Sequence, residues 1–380
     1  MNGQKDSISI DPTSWMDHAL QLALRGTGMV SPNPRVGCVI VDNDVLLAEG
    51  WHAEYGGPHA EAVALQALSA PVTDNTVMYV TLEPCNHHGK TPPCSEAIVR
   101  SGIRRVVVAV EDPHPKVAGT GIAYLRSHGI DVLVGVRREE ASWLNRSFFH
   151  HATTGMPYVA VKTAASRDGF MAPEPKERQQ LTGAASQRVV HELRAEFDAV
   201  LTTAATVQID DPRLDVRFTT GRNPIRIVLD VGCSTPQNAQ VVCTARKQRT
   251  MLVVPDATTP SMLQPYLDNG CELLFCRVQH RGGFDLRGFD LHDVFTSLGA
   301  MGITSILTEA GPELSSVLLT MPETMEWYKF TAPTNLHRGY GLVPQRPDID
   351  SHRWLLHHQI SVEPDNCRVY LSTHHPLIQS

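Results

Sequence analysis

Three features of this 380-residue sequence predict two consecutive α/β domains. The length exceeds the roughly 250–300 residues that a single hydrophobic core organises. In both halves short apolar runs alternate with stretches of helical periodicity, the pattern of strands buried between helix layers. The first alternating set stops within 139–157, and a second begins at Tyr158-Val-Ala-Val-Lys162. The expected divisions are a disordered lead at 1–13, a first domain at 14–150 and a second at 151–380.

Taken in order, Ser14–Arg25 carries a helical stripe of Met16, Ala19, Leu20, Ala23 and Leu24, with Ser14 as its expected N-cap. Pro32-Asn33-Pro34 breaks the chain. Val36–Val41 reads as a buried strand, Asp42-Asn43-Asp44 as a turn, and Val45–Glu49 as the hairpin partner. Pro58 suits the start of a helix over His59–Ser69. Val77–Leu82 is a second buried strand, and Pro92-Pro93-Cys94 opens a helix running to Arg100. Arg105–Val110, a helix near Gly121–Ser127 and Ile130–Val134 complete an expected mainly parallel sheet with helices on both faces. The junction, with Trp143, Phe148 and Phe149, is too apolar for a free tether and is expected to pack between the domains.

In the second half, strands are expected at Tyr158–Lys162, Ala199–Leu201, Ile225–Leu229, Met251–Val254, Leu273–Cys276 and Ile303–Leu307. Helices are expected at Ala184–Glu196, Leu291–Ala300 and Glu313–Leu319. The segment 331–355 has weak periodicity and no assigned element. Gln359–Val362 and Cys367–Leu371, flanking Pro364-Asp365-Asn366, read as a closing β-hairpin.

Composition is globular, with 42% hydrophobic and 19% charged residues, and no run approaches the roughly 20 apolar residues that cross a bilayer. The polar N-terminus lacks a secretory core, so a cytoplasmic location is expected. A net charge of −7 and a pI of about 6.2 oppose a polynucleotide partner, which calls for a basic face. A small phosphorylated molecule remains compatible, because a few local Lys or Arg residues suffice for one phosphate. Eight dispersed cysteines read as metal ligands and free thiols rather than as a disulfide framework.

The chemistry concentrates in Gly56-Gly-Pro-His-Ala-Glu61 and Glu83-Pro-Cys-Asn-His-His-Gly-Lys-Thr-Pro-Pro-Cys94. His59 offers an imidazole, and Cys85 and Cys94 offer thiolates. Three protein ligands leave the fourth tetrahedral position of a zinc ion open to water, as in catalytic sites. Glu61, two residues after the histidine, is placed to carry a proton rather than to bind metal. That is the His-x-Glu … Pro-Cys arrangement of zinc nucleobase deaminases. A lone His-Ala-Glu or a lone cysteine carries little weight, since most buried cysteines are small apolar residues; the conjunction carries the reading.

Ser31-Pro-Asn-Pro-Arg-Val-Gly-Cys-Val-Ile-Val41, Pro58-His-Ala-Glu61, the segment Leu82–Cys94 and Asp112-Pro-His-Pro115 resemble the bifunctional riboflavin-biosynthesis deaminase/reductase family. The eight residues between Cys85 and Cys94 are typical of it, whereas cytidine and transfer-RNA deaminases usually place two there. The resemblance continues through Lys162–Gly169, Leu193-Arg-Ala195, Ala205-Thr-Val207, Asp210–Arg217 and Glu309-Ala-Gly-Pro312. It implies a cytidine-deaminase-like α/β/α sandwich followed by a dihydrofolate-reductase-like α/β domain. It also implies one zinc per chain, NADPH, and a phosphorylated pyrimidine that is deaminated before its ribose is reduced.

By match to the family's motifs, Asn33, His52, His87, Lys90 and Thr91 would hold the first substrate. In the second half the resemblance gives catalysis to Lys162 and Asp210. It gives the cofactor to Ala164, Thr206, Asp210, Gly311 and Pro312, and substrate to Arg178, Arg194, Leu214, Arg217 and Glu309. Arg178-Gln-Gln-Leu-Thr182 stands where the family usually has a Ser-x-Trp-Ile-Thr-like segment. A monofunctional deaminase with a scaffolding second domain is therefore the first rival, and a nucleic-acid-editing deaminase the second. An oligomer of like chains is expected.

Overall fold

The computed structural model describes residues 12–87, 92–114, 117–173, 180–280, 287–342 and 353–379. Of the expected lead, residues 1–11 lie outside these. The chain divides into two compact units, Met1–Thr153 and Thr154–Ser380.

The first unit comprises α1 (Pro12–Leu24), β1 (Gly37–Asp42), β2 (Val45–Trp51), α2 (Ala60–Ala67) and β3 (Thr76–Val80). There follow α3 (Cys94–Ser101), β4 (Arg105–Val108), α4 (Thr120–Ser127), β5 (Asp131–Val134), α5 (Arg138–Leu144) and α6 (Arg146–Thr154). Helix α1 starts at Pro12, so Ser14 lies in its first turn and is not the N-cap. Proline is preorganised for that turn, where its missing N–H costs nothing.

The sheet runs β2-β1-β3-β4-β5. Only β3, β4 and β5 are mutually parallel; β1 is antiparallel to both β2 and β3, so the sheet is mixed rather than mainly parallel. The cause is local. Asn43 and Asp44 both adopt positive φ, 46° and 63°, and so close a two-residue hairpin of the kind that matches strand twist. Alternate residues of β1 enter opposite cores. Val39 and Val41 pack with α1 residues, and Cys38 and Ile40 with α2 residues Ala60 and Ala64. Junction residues Phe148 and Phe149 pack against the first of these cores.

The second unit begins with β6 (Tyr158–Ala165), β7 (Phe170–Ala172), α7 (Ala184–Glu196), β8 (Ala199–Thr203) and α8 (Ala204–Asp210). Next come β9 (Ile225–Leu229), α9 (Gln240–Cys243), β10 (Thr250–Pro255), α10 (Pro260–Asp268), β11 (Glu272–Cys276), β12 (Val278–His280) and β13 (Arg287–Phe289). The rest is α11 (Leu291–Ala300), β14 (Ser305–Glu309), α12 (Pro312–Leu318), β15 (Thr324–Thr331), β16 (Tyr340–Gly341), β17 (Trp354–Val362), β18 (Asp365–Ser372) and α13 (Pro376–Gln379).

Nine strands form one sheet in the order β11-β10-β9-β8-β14-β6-β15-β18-β17. It is parallel from β11 to β15, and the β17–β18 hairpin is added antiparallel. Strands β8 and β14 are neighbours whose following connections leave in opposite directions, to β9 on one side and to β15 on the other. Such a switch point opens a crevice beyond the C-terminal strand ends. Strand β14 lies two residues later than the expected Ile303–Leu307, and β15 had no sequence assignment. Helices α8, α9 and α10 were likewise unforeseen.

Gly37 is required by close packing. A Cβ there would sit 2.0 Å from the Ala19 carbonyl oxygen and 2.9 Å from the Ala23 nitrogen, so α1 lies directly on β1. Gly37→Ala should destabilise the first unit by about 1–3 kcal/mol, the usual range for overpacking. Urea unfolding checks this, and a loss below about 0.5 kcal/mol, the scale of a neutral surface change, would show that α1 can slide away freely.

Candidate active site

Three junctions of the first unit bring the metal-ligand set together. His59 is the residue that caps α2, in extended conformation. Cys85 follows β3, and Cys94 is the first residue of α3. Their ligand atoms all lie within 4.8 Å of one another. His59 Nδ1 is 3.5 Å from Cys85 Sγ and 3.4 Å from Cys94 Sγ. A tetrahedral zinc with bonds of about 2.0 Å to nitrogen and 2.3 Å to sulfur has N···S edges of about 3.5 Å. The residues fit that ion.

The electrostatics favour one thiolate, at Cys85. The Cys94 thiol donates to Cys85, and with His59 draws the Cys85 pKa down to about 4. Cys94 is raised in turn by Cys85 and by burial, so the pair readily holds one thiolate. Glu61, the second residue of α2, is 3% exposed. Burial, and then the charge of Cys85, push its carboxyl up to about 7.

Neighbouring groups are fixed by hydrogen bonds. His52 is 3% exposed; its Nδ1 donates to the Pro58 carbonyl at 2.9 Å, and its Nε2 accepts from Asn33 Nδ2 at 3.2 Å. That pairing sets the tautomer, and burial lowers the His52 pKa, so the ring is neutral. The His52 ring lies edge-on to His59 at 5.7 Å between centroids. His87 is exposed. Lys90 and Thr91 lie outside the described residues.

Glu83, two residues before Cys85, anchors the ligand loop. Its Oε2 accepts from the backbone N–H groups of Asp112 at 3.1 Å and Gly119 at 2.9 Å. Its Oε1 accepts from those of Gly121 at 2.8 Å and Ile122 at 3.2 Å. The only sequence signal for this was an acidic residue inside an otherwise apolar strand end.

In the second unit Arg194, on α7, grips Glu309, at the end of β14, through Nε–Oε1 at 2.6 Å and Nη2–Oε2 at 2.9 Å. Its Nη1 donates to the Asp215 carbonyl at 3.1 Å. Burial would raise the Glu309 pKa, but the Arg194 and Lys162 charges overcome this and lower it. Lys162, on β6, has its pKa lowered by burial, against the opposing pull of Glu309 and Asp210. Arg217 pairs with the Asp215 carboxylate, and its backbone N–H donates to His191 Nδ1 at 3.0 Å.

Leu214 is 3% exposed within the core, with φ of 51°. Ala164 lies on β6, Asp210 ends α8, and Thr206 donates its N–H to the Thr203 side chain at 3.2 Å in the first turn of α8. Gly311 caps α12 and Pro312 is its first residue. Thr206 and Gly311 therefore flank the β8–β14 crevice, and a Cβ on Gly311 would meet nothing within 4 Å. Arg178 lies outside the described residues.

The cytidine and deoxycytidylate deaminase zinc-binding region matches residues 10–110, and the RibD C-terminal domain matches 157–330. The riboflavin biosynthesis protein RibD of Aquifex aeolicus is 39% identical over 330 residues, covering 87% of this chain and 89% of that protein. RibD of Escherichia coli is 38% identical over 338 residues, covering 84% and 87%. Among solved structures, Acinetobacter baumannii RibD superposes with a TM-score of 0.81 at 34% identity, covering 95% of this chain and 98% of its own. The Thermotoga maritima diaminohydroxyphosphoribosylaminopyrimidine deaminase/5-amino-6-(5-phosphoribosylamino)uracil reductase gives 0.81 at 30% identity, with 95% and 98% coverage. Relatives at this identity run through both units, and the chain belongs to the RibD family of riboflavin biosynthesis proteins.

Proposed function

We propose that the first unit deaminates 2,5-diamino-6-ribosylamino-4(3H)-pyrimidinone 5′-phosphate, and that the second reduces the ribose of the resulting 5-amino-6-(5-phosphoribosylamino)uracil to a ribityl chain. The observation that carries the first half is geometric: Glu61, a buried carboxyl, stands beside the His59, Cys85 and Cys94 ligand triangle. Held by those three residues, one zinc ion per chain supplies the Lewis acidity that brings the pKa of water to about 7.

Deamination requires one proton to leave water and protons to reach the ring nitrogen and the departing amine. Glu61 carries them at its carboxylate, whose protonated form burial favours, so it can both take a proton and give it back. Asn33 donates through Nδ2 to His52, and its side chain makes no other hydrogen bond among the described residues. Its Oδ1 is therefore available to accept from an amino group of the pyrimidine. His87, Lys90 and Thr91 complete the binding of base and phosphate.

NADPH supplies the hydride when bound in the second unit, and the β8–β14 crevice with Ala164, Thr206, Asp210, Gly311 and Pro312 is its site. Reducing the ribosyl carbon opens the furanose, and the ring oxygen must gain a proton. Lys162 is the donor, its pKa lowered by burial, with Asp210 beside it. Arg178, Arg194, Leu214, Arg217 and Glu309 hold this substrate. What supports the grouping is the Arg194–Glu309–Lys162 charge cluster, since charges held out of water cost stability and are kept there only with partners. We place the activity in the cytoplasm, consistent with eight free cysteines. We also expect a homo-oligomer, which would cover Leu355 and Leu356, both exposed on the edge strand β17. No helix among the described residues is long and apolar enough to cross a membrane.

Cys85→Ala or Cys94→Ala should abolish stoichiometric zinc and destabilise the first unit, because ligand binding contributes to folding. Metal analysis after dialysis reads this, and full zinc content in both variants would remove the ligand assignment.

Glu61→Gln should retain zinc and lose deamination by at least the ~10²–10⁴-fold typical of a general acid–base group. Ammonia release measures it; activity within a few-fold of wild type would leave Glu61 as a helix-start acid only.

The wild type should oxidise NADPH, followed at 340 nm, with the deaminated uracil phosphate as substrate. Cofactor binding should be weak, because Gln180 stands where the family has an indole, and Gln180→Trp should tighten it by restoring apolar area. An active deaminase that shows neither NADPH oxidation nor calorimetric NADPH binding would make the second unit a scaffold.

A further inference from the structure

A cavity of about 220 Å³ opens in the second unit beside Arg226 and Gln248. These residues lie at the N-terminal ends of β9 and β10. Those are the strand ends opposite the ones that carry Thr206, Glu309 and Gly311. None of the residues assigned above to substrate or cofactor lines it.

Its floor is a buried cation without a counter-charge. Arg226 is 1% exposed, and no carboxylate among the described residues lies within ion-pair distance of it. Its guanidinium donates to Thr250 Oγ1 at 2.9 Å, Thr244 Oγ1 at 2.7 Å, the Arg213 carbonyl at 3.3 Å and the Gln248 carbonyl at 2.9 Å. All four acceptors are neutral, and a guanidinium has five N–H donors, so one is left over. Burial pulls its pKa down to about 10, with smaller opposing contributions from Cys271 and Asp215. A buried charge in that state is costly unless something of opposite sign joins it.

The rim supplies more unused donors. Lys247 is exposed and makes no ion pair or hydrogen bond with its ammonium among the described residues. Asn223 accepts from the Val216 N–H through Oδ1 at 2.7 Å, which leaves its Nδ2 without an acceptor. Arg213 uses Nε on Asp215 Oδ2 at 2.9 Å and keeps its Nη groups. Gln248 Nε2 is already committed to the carbonyls of Leu214 and Pro224. Three cations thus face one carboxylate, and Asp215 is also shared with Arg217 outside the cavity.

We propose that this cavity is an additional anion site that takes a phosphate group, either as inorganic phosphate or as the monoester of a small molecule. A dianion balances the net charge of the lining, and its oxygens accept from Arg226, Lys247, Asn223 and Arg213 together. The proposal does not depend on which reaction the second unit performs.

Tungstate, a tetrahedral dianion with strong anomalous scattering, locates the site in crystals of the full chain. It is expected within hydrogen-bonding reach of Arg226, Lys247 and Asn223; tungstate at other positions with none in this cavity overturns the proposal. In solution, inorganic phosphate and phenyl phosphate are titrated calorimetrically into wild type and a Lys247→Ala/Asn223→Ala variant. Both replaced residues are exposed, so folding should be kept, and the melting temperature verifies it. Loss of two charged or polar donors should weaken binding at one site by about tenfold or more. Tighter binding of phenyl phosphate identifies an esterified ligand, and equal binding identifies the free ion. A folded double variant that titrates like wild type with both probes overturns the assignment.

Discussion

Glu83 sets where Cys85 can be. A carboxylate buried to 4% exposure receives four backbone N–H groups from the segment 112–122. Charge-assisted hydrogen bonds of this kind are about twice as strong as neutral ones, and the start of α4 adds its dipole. The contact is tight as well as polar. A Cβ on Gly121 would sit 2.0 Å from the Pro84 carbonyl oxygen, so α4 abuts the ligand loop itself. Two further bonds then tie the loop to α3: the Ser95 N–H to the Cys85 carbonyl at 3.2 Å, and the Cys94 N–H to Cys85 Sγ at 3.4 Å. The ligand triangle is thus an outcome of backbone anchoring, with the side chains needing only to point inward.

The second unit uses a different device. Its proposed site lies over a parallel sheet, where strand ends supply positions but no side-chain network of their own. Arg194 provides one by pinning Glu309 through two hydrogen bonds and, with its third nitrogen, the loop at Asp215. Breaking a buried pair of this kind by removing one partner costs about 3–5 kcal/mol, because the other charge is left alone. Arg217 hangs on the same loop through its own bond to Asp215 and through His191. Charges that look independent in sequence therefore move as one body.

Much of this was legible in the residues. The ligand set could be read because zinc demands particular atom types, and because each ligand follows a proline, His59 and Cys94 where a helix opens and Cys85 just past a strand end. Ala184–Glu196, Ile225–Leu229 and Leu291–Ala300 were legible end to end because their apolar periods are uninterrupted. The antiparallel place of β1 was not, since a hairpin leaves open which side of β1 the next strand joins. Strand β15 was missed because Glu326 interrupts its apolar run. In the structure that carboxylate is buried and accepts from the Tyr158 hydroxyl at 3.0 Å. The residues proposed for the second site carried no local signature at all. Lys162, Arg194 and Glu309 are far apart in sequence and acquire meaning only where the fold brings their charges together, so resemblance alone could nominate them.

The Tyr158 hydroxyl also meets His375 Nε2 at 3.1 Å, across a sequence separation of 217 residues. Strand β6, the first of its unit, lies between β14 and β15, so its edges stay unpaired until segments from roughly the far third of the chain arrive. The first unit makes no comparable demand, because β3, β4 and β5 pair in the order in which they are synthesised. Long-range pairing slows folding and prolongs the exposure of apolar strand edges. On a ribosome the metal-binding half would then be closed while Tyr158–Ala165, apolar and open on both sides, still waits for partners. That interval makes the reductase half the place where chaperone dependence and aggregation should concentrate.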